Sequence, residues 1–107
     1  MKHFCLLLPI LVLFLSCSPQ PIEIPDPILA AAIRDALGLE PSEPILQKDL
    51  DALTSLTASN AGITELKGIE QARNLLSLQL DRNQITDITP LTELVQLTEL
   101  NLRMNQI

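Results

Sequence analysis

From Leu53 onward the apolar side chains return at a fixed interval of 22 residues. Leu53, Leu75 and Leu97 share one column, Leu56, Leu78 and Leu100 a second, and Ala58, Leu80 and Leu102 a third. Ile63, Ile85 and Ile107 continue the series, followed by Leu66 with Ile88, Ile69 with Leu91, and Ala72 with Leu94. Within each copy, alternation of apolar and polar residues predicts one short strand with leucines inward, after which the chain returns along an arc. One copy cannot bury its apolar face, whereas stacked copies close a continuous core.

Upstream the period changes. Asp26-Pro27 opens a predicted helix, because Asp accepts from the orphan N–H groups and Pro at the first helical position forfeits no hydrogen bond. Ile28, Leu29, Ala32, Ile33 and Ala36 supply an apolar stripe at helical spacing, with Arg34 and Asp35 facing away, and Gly38 is suited to stop the helix. A Pro-bounded connection over Glu40–Pro44 leads to a shorter helix predicted over Lys48–Leu53, with Leu50 and Leu53 inward. The carboxylates at Glu40/Glu43 and Asp49/Asp51 read as a solvated face.

The pattern L-x-x-L-x-L-x-x-N-x-I, seen as LLSLQLDRNQI and LTELNLRMNQI, is the leucine-rich repeat signature. The fold class expected is therefore an α/β solenoid, a right-handed superhelix of short parallel strands with a helical N-terminal cap. Its period, the Ile-Thr-Pro-Leu segment at Ile88 to Leu91 and the preceding IPDPILAAAIRDALGL resemble internalin-type bacterial surface proteins over roughly residues 24–107. That resemblance implies that the asparagine column, here Asn83 and Asn105, forms a structural ladder by hydrogen bonding to backbone groups of neighbouring turns. Ala61 occupies the column in the first repeat, with Asn60 one position early, and the cap is expected to cover the missing amide there.

Residues 1–16 read as a secretory signal: a weakly basic start, then the uncharged run FCLLLPILVLFL, too short to span a bilayer as a helix. Leu13-Phe14-Leu15-Ser16-Cys17 resembles a bacterial lipoprotein cleavage box, which implies that Cys17 becomes the N-terminus and carries the lipid. Cys5 would leave with the signal, so no internal disulfide is possible in the mature chain. Segment 17–25, with Pro19, Pro21 and Pro25, is expected to be a semi-rigid tether reaching roughly 25 Å in polyproline II geometry. Residues 26–52 form the expected cap, and residues 53–107 the repeats (53–74, 75–96 and a partial 97–107). The stop at Ile107 with no closing element predicts a piece of a longer array, since terminal repeats need polar-faced caps.

Composition narrows function. The 107 residues are 47% hydrophobic but only 2% aromatic, and Phe4, Phe14 and the single His3 all precede Cys17. The mature chain then has no Phe, Tyr, Trp or His, which removes the commonest general base and zinc ligand. It keeps six basic side chains against thirteen acidic ones, a net charge of −7 that disfavours nucleic acid and adhesion to anionic lipid. No catalytic residue, cofactor site or metal site is expected; Asp81, Asn83 and Asp87 fail as a calcium loop because Asn83 points inward. Alternation places Ser55, Thr57 and Ser59 on the concave face, then Ser77, Gln79 and Asp81, then Glu99, Asn101 and Arg103. The last two sets are the candidate ligand-binding residues, with Asp81 and Arg103 expected to form a neighbouring-strand ion pair.

The sequence thus predicts a non-catalytic protein exported across the inner membrane. Acyl chains on Cys17 would hold it at the bacterial cell envelope, on the outer membrane or cell surface, and its concave sheet would bind another protein or a surface polymer. Two alternatives stand beside this: the N-terminal targeting arm of a longer secreted enzyme, and a truncated remnant without a function of its own.

Overall fold

The computed structural model describes residues 19–107, so the signal segment and Cys17 lie outside the described residues. Helix α1 spans Pro27–Leu37 and helix α2 spans Gln47–Asp51. Three strands follow, β1 at Ser55–Thr57, β2 at Ser77–Gln79 and β3 at Glu99–Asn101. They form one parallel sheet in chain order, with Ser55 opposite Ser77 and Ser77 opposite Glu99. That register is the 22-residue period made spatial. Between strands the chain returns through 3₁₀ turns at Ile69–Gln71 and Thr89–Glu93, which pack on one another.

The columns converge on one core. Leu53, Leu56, Ile63, Ile69, Ala72, Leu75, Leu78, Leu80, Ile85, Leu91 and Leu94 are all buried in a single cluster. One column departs from expectation: Leu66 is 1% exposed but Ile88 is 36% exposed. Leu66 sits in a turn flanked on both sides, whereas among the described residues no turn lies beyond that of Ile88. The same one-sided packing leaves Leu100 and Ile107 exposed.

Asp26 N-caps α1: its Oδ1 accepts from the N–H groups of Ile28 at 2.9 Å and Leu29 at 3.3 Å. Its other oxygen, Oδ2, accepts from the backbone N–H of Thr64 (2.8 Å), the Thr64 hydroxyl (3.2 Å) and the N–H of Glu65 (3.0 Å). This second role sets the rotation of the helix. The side of α1 beneath Asp26 carries Leu29, Ala30 and Ile33, which are the buried residues, with Leu37 partly buried one turn on. The expected stripe is thus displaced, because Ile28 and Ala36 are exposed and Ala30 is buried instead. Gly38 ends the helix with φ +73°, and its neighbour Leu39 donates to Arg34 O at 2.8 Å.

Helix α2 begins one residue before the expected start and ends at Asp51, with Leu50 and Leu53 buried. The carboxylate of Asp49 accepts from the Leu46 N–H at 2.9 Å, closing the first turn, so this side chain is more than a solvated charge. Gln47 Nε2 donates to Gln71 O at 2.9 Å and Asn74 Nδ2 donates to Asp51 O at 2.8 Å, tying α2 to the first return segment.

The second half of the expected tether is not free. Ile22 and Ile24 are partly buried against the core while Pro21, Glu23 and Pro25 are exposed, an alternation that marks an extended strap. Ile22 N donates to Ile45 O at 2.7 Å. Across the strap stands Gly68, with φ +101°, where a Cβ would lie 2.8 Å from Glu23 O. Glycine there serves both the left-handed backbone and the close approach of another chain segment.

Candidate functional site

The exposed face of the sheet carries three rows set by the strand register. Ser55, Ser77 and Glu99 form one row, Thr57, Gln79 and Asn101 the next, and Ser59, Asp81 and Arg103 a third just past the strands. All of these side chains are exposed or partly exposed, and each alternates with a core residue such as Leu56, Leu78 or Leu80. Neighbouring strands of a sheet lie about 4.8 Å apart, so members of one row meet side by side.

Two rows are joined by hydroxyl-to-carboxylate hydrogen bonds. The Ser59 hydroxyl donates to Asp81 Oδ1 at 2.6 Å, and the Ser77 hydroxyl donates to Glu99 Oε1 at 3.0 Å. The Ser59 bond is the main cause holding the Asp81 carboxyl below its ordinary range; partial burial opposes it, and Arg82 and Arg103 assist at longer range. The expected Asp81–Arg103 ion pair does not form. Arg82 Nη1 lies 3.6 Å from Asp81 Oδ2, making the neighbour in sequence the ion partner. Asn101 Oδ1 accepts from the backbone N–H of Arg103 at 3.1 Å; Arg103 is exposed and Gln79 partly exposed.

Beneath this face runs a ladder of asparagine hydrogen bonds that ties neighbouring turns together. Asn83, 4% exposed, accepts through Oδ1 from three consecutive N–H groups, those of Ala61, Gly62 and Ile63, each at 3.0 Å. Its Nδ2 donates to Ala58 O and Leu80 O, both at 2.9 Å, with Asp81 O at 3.3 Å. Asn105 repeats the arrangement one turn on, donating to Leu80 O and Leu102 O at 2.9 Å and accepting from Ile85 N at 3.0 Å. Both asparagines point inward. The first-repeat position, Ala61, offers only its backbone, as acceptor-seeking N–H to Asn83.

A left-handed backbone at three positions on this rim was not expected from the sequence. Asn60, Arg82 and Met104, again 22 apart, have φ of 54°, 60° and 60°. Only Asn60 is of a type that favours the left-handed region, so the other two gave no local signal. Asp26 was legible as a helix cap but not as a partner of Thr64, a residue 38 positions away.

No protein-family model matches this chain. It is 44% identical over 66 residues to internalin H of Listeria monocytogenes, a stretch covering 61% of this chain and 12% of that protein. Among solved structures it resembles internalin C2 of the same species, with a TM-score of 0.78 and 42% identity over 85% of this chain and 42% of the other. It also resembles a Clostridium perfringens ZmpB structure holding CBM51-2, in complex with GlcNAc, and INT domains. The TM-score there is 0.72 and the identity 36%, over 78% of this chain and 17% of that one. The chain therefore spans less than half the length of these relatives. Their identity and superposition establish a leucine-rich repeat fold, and internalin-type repeat proteins are the homologues and structural neighbours of this chain.

Proposed function

We propose that this chain is a non-catalytic binding module whose sheet face, concave in a stacked solenoid, recognises a protein or a surface polymer. The observation that carries the reading is the set of solvent-facing side chains Ser77, Gln79, Asp81, Glu99, Asn101 and Arg103, presented on a backbone that the asparagine ladder holds rigid. Residues 26–52 serve as the N-terminal cap of the repeats, closing the end at which Ala61 interrupts the ladder. Residues 1–16 direct export and Cys17 carries the acyl chains that anchor the module at the cell envelope.

Docking of Ile22 and Ile24 shortens the tether. Four residues separate Cys17 from Ile22, a reach of roughly 15 Å in polyproline II geometry, so the module sits close to its membrane. Cys17→Ala should shift the protein from the membrane fraction to the soluble one; unchanged retention overturns the anchor. For the face, the full chain is screened on glycan and protein arrays, and the screen is repeated with Asp81→Lys/Arg103→Glu. Loss of the bound probes with an unchanged circular dichroism spectrum supports the reading, and equal binding by the variant overturns it.

One observation favours a second reading, a targeting arm within a longer enzyme: the ZmpB structure joins INT domains with CBM51-2, which is in complex with GlcNAc. The coding sequence beyond Ile107 separates the two, as further repeats favour the binder and a hydrolase domain favours the arm.

A further inference from the structure

Away from the sheet face, a cleft of about 610 Å³ opens between the first and second return segments, and none of its lining residues belongs to the ligand face proposed above. Its position is related to the N-terminal strap by one repeat. The strap touches Ile45 through Ile22, Gly68 through Glu23, and Thr64 and Glu65 through Asp26. Advanced by 22 residues these contacts become Lys67, Pro90, Thr86 and Asp87, and all four line the cleft. The cleft is thus the open counterpart of a groove that already holds an extended peptide one turn earlier.

The hydrogen bonding agrees. In the filled groove the N–H groups of Thr64 and Glu65 donate to the Asp26 carboxylate. Their counterparts, the N–H groups of Thr86 and Asp87, have no protein acceptor among the described residues. The Asp87 carboxylate does not serve them, since its Oδ1 accepts from the Thr89 N–H at 2.9 Å and the Thr89 hydroxyl at 2.6 Å. Two adjacent free N–H groups form a ready pair of donors for a carboxylate. Two features differ from the filled groove. Pro90 replaces Gly68, so an occupant packs on a ring instead of touching bare backbone. The walls also carry Glu65, Glu70, Asp87 and Glu93 against Lys67 alone, a surplus of negative charge that favours a basic side chain elsewhere on the occupant.

We propose that this cleft is a second binding site, distinct from the sheet face, for an extended peptide segment of a partner protein. The peptide meets the Thr86 and Asp87 N–H groups as the strap meets those of Thr64 and Glu65, but its backbone stands further out, because Pro90 fills the space that Gly68 leaves open to Glu23 O: an Asp carboxylate bridges the two N–H groups, and a basic residue faces the acidic wall.

The test uses the isotope-labelled full chain in mild detergent and a synthetic peptide of strap sequence, residues 19–27, carrying Glu23→Lys. Saturable amide shifts at Thr86 and Asp87 are expected, with affinity falling about ten-fold when the peptide also carries Asp26→Asn, the loss of one charge-assisted bond. The peptide with the native Glu23 should also bind more weakly. Shifts at Thr64 and Glu65 (exchange with the protein's own strap), shifts at Gln79 and Asn101 (the sheet face), no saturable shift at millimolar peptide, or equal binding of the Asp26→Asn peptide would each overturn the proposal. Failure at the cleft leaves the array test of the sheet face untouched, because the two read different residues.

Discussion

Asn83 and Asp26 hold five consecutive amides of one turn. Asn83 takes those of Ala61, Gly62 and Ile63, and Asp26 takes those of Thr64 and Glu65, the first reaching from the second repeat and the other from the head of α1. Both are buried, yet their chemistry differs for a positional reason. An interior rung must accept from one turn and donate to carbonyls of its own and the neighbouring turn, which requires an amide. At the helix side every partner of Asp26 is a donor, the N–H groups of Ile28 and Leu29 included, so an acceptor-only carboxylate satisfies them all. The lesson is that a buried polar residue in this stack is chosen by the sign of the groups it faces, and that only one of the two sites is sensitive to pH.

The comparison can be broken most sharply at Asn83. Asn83→Ala leaves three N–H groups and the Ala58 carbonyl without their partner, while Leu80 O keeps Asn105 Nδ2; at roughly 1 kcal/mol or more each the loss should be at least about 3 kcal/mol, read as a lowered urea midpoint. Asn83→Asp should be no better, since it places a carboxylate against Ala58 O and Leu80 O. A midpoint within error of the parent for either variant would remove the ladder as the source of rigidity.

Asp26→Ala removes a helix cap and, with it, the one oxygen that accepts from the Thr64 and Glu65 N–H groups, with an expected cost of about 2–3 kcal/mol. The conservative Asp26→Asn should cost about 1 kcal/mol, because one oxygen survives. Burial opposes ionisation of Asp26, but the N–H groups of Thr64, Glu65, Ile28 and Leu29 outweigh it and hold the carboxyl below its ordinary value of 3.8. The sign follows. Below 3.8 the unfolded chain binds the proton first, so the stabilisation is complete above that pH and disappears as pH falls through the lower folded value. Denaturation midpoints measured across this acid range should flatten in Asp26→Asn; an unchanged slope would assign the acid sensitivity elsewhere.

The smallest effect is expected on the rim. Arg82 holds φ of 60° without the side chain of Asn60, its counterpart one turn earlier. Arg82→Asn should therefore raise stability by up to about 1 kcal/mol, less the weak pairing with Asp81. A fall in the melting temperature would show that this pairing outweighs the backbone strain.

Particular residues show where the sequence is legible. Leu56, Leu78 and Leu100 stand in one register because side chains that recur at a constant interval bury each other only when the turns stack in step. The inward direction of Asn83 follows from its place in the same period. Ile28 and Ile88 mislead for a shared reason: each lies in an apolar pattern, yet whether it is covered depends on a partner remote in sequence. The strap is the plainest case, for its three prolines argue for an extended spacer and the extended form is right, but Gly68 and Ile45 decide that it docks. Within the candidate face, the exposed rows were readable from alternation, whereas the ion partner of Asp81 was not, since Arg82 reaches it only through a left-handed backbone.

What the amino-acid sequence determined alone is the interval, the alternation within each strand and the chemistry of the buried column, all properties that repeat and so are encoded locally many times over. Tertiary structure decided what occurs once: the rotation of α1, the second set of bonds to Asp26, the docking of the strap and the cleft left open one turn further on. These depend on single long-range contacts, and a contact between residues 38 positions apart leaves no periodic trace for a sequence to display.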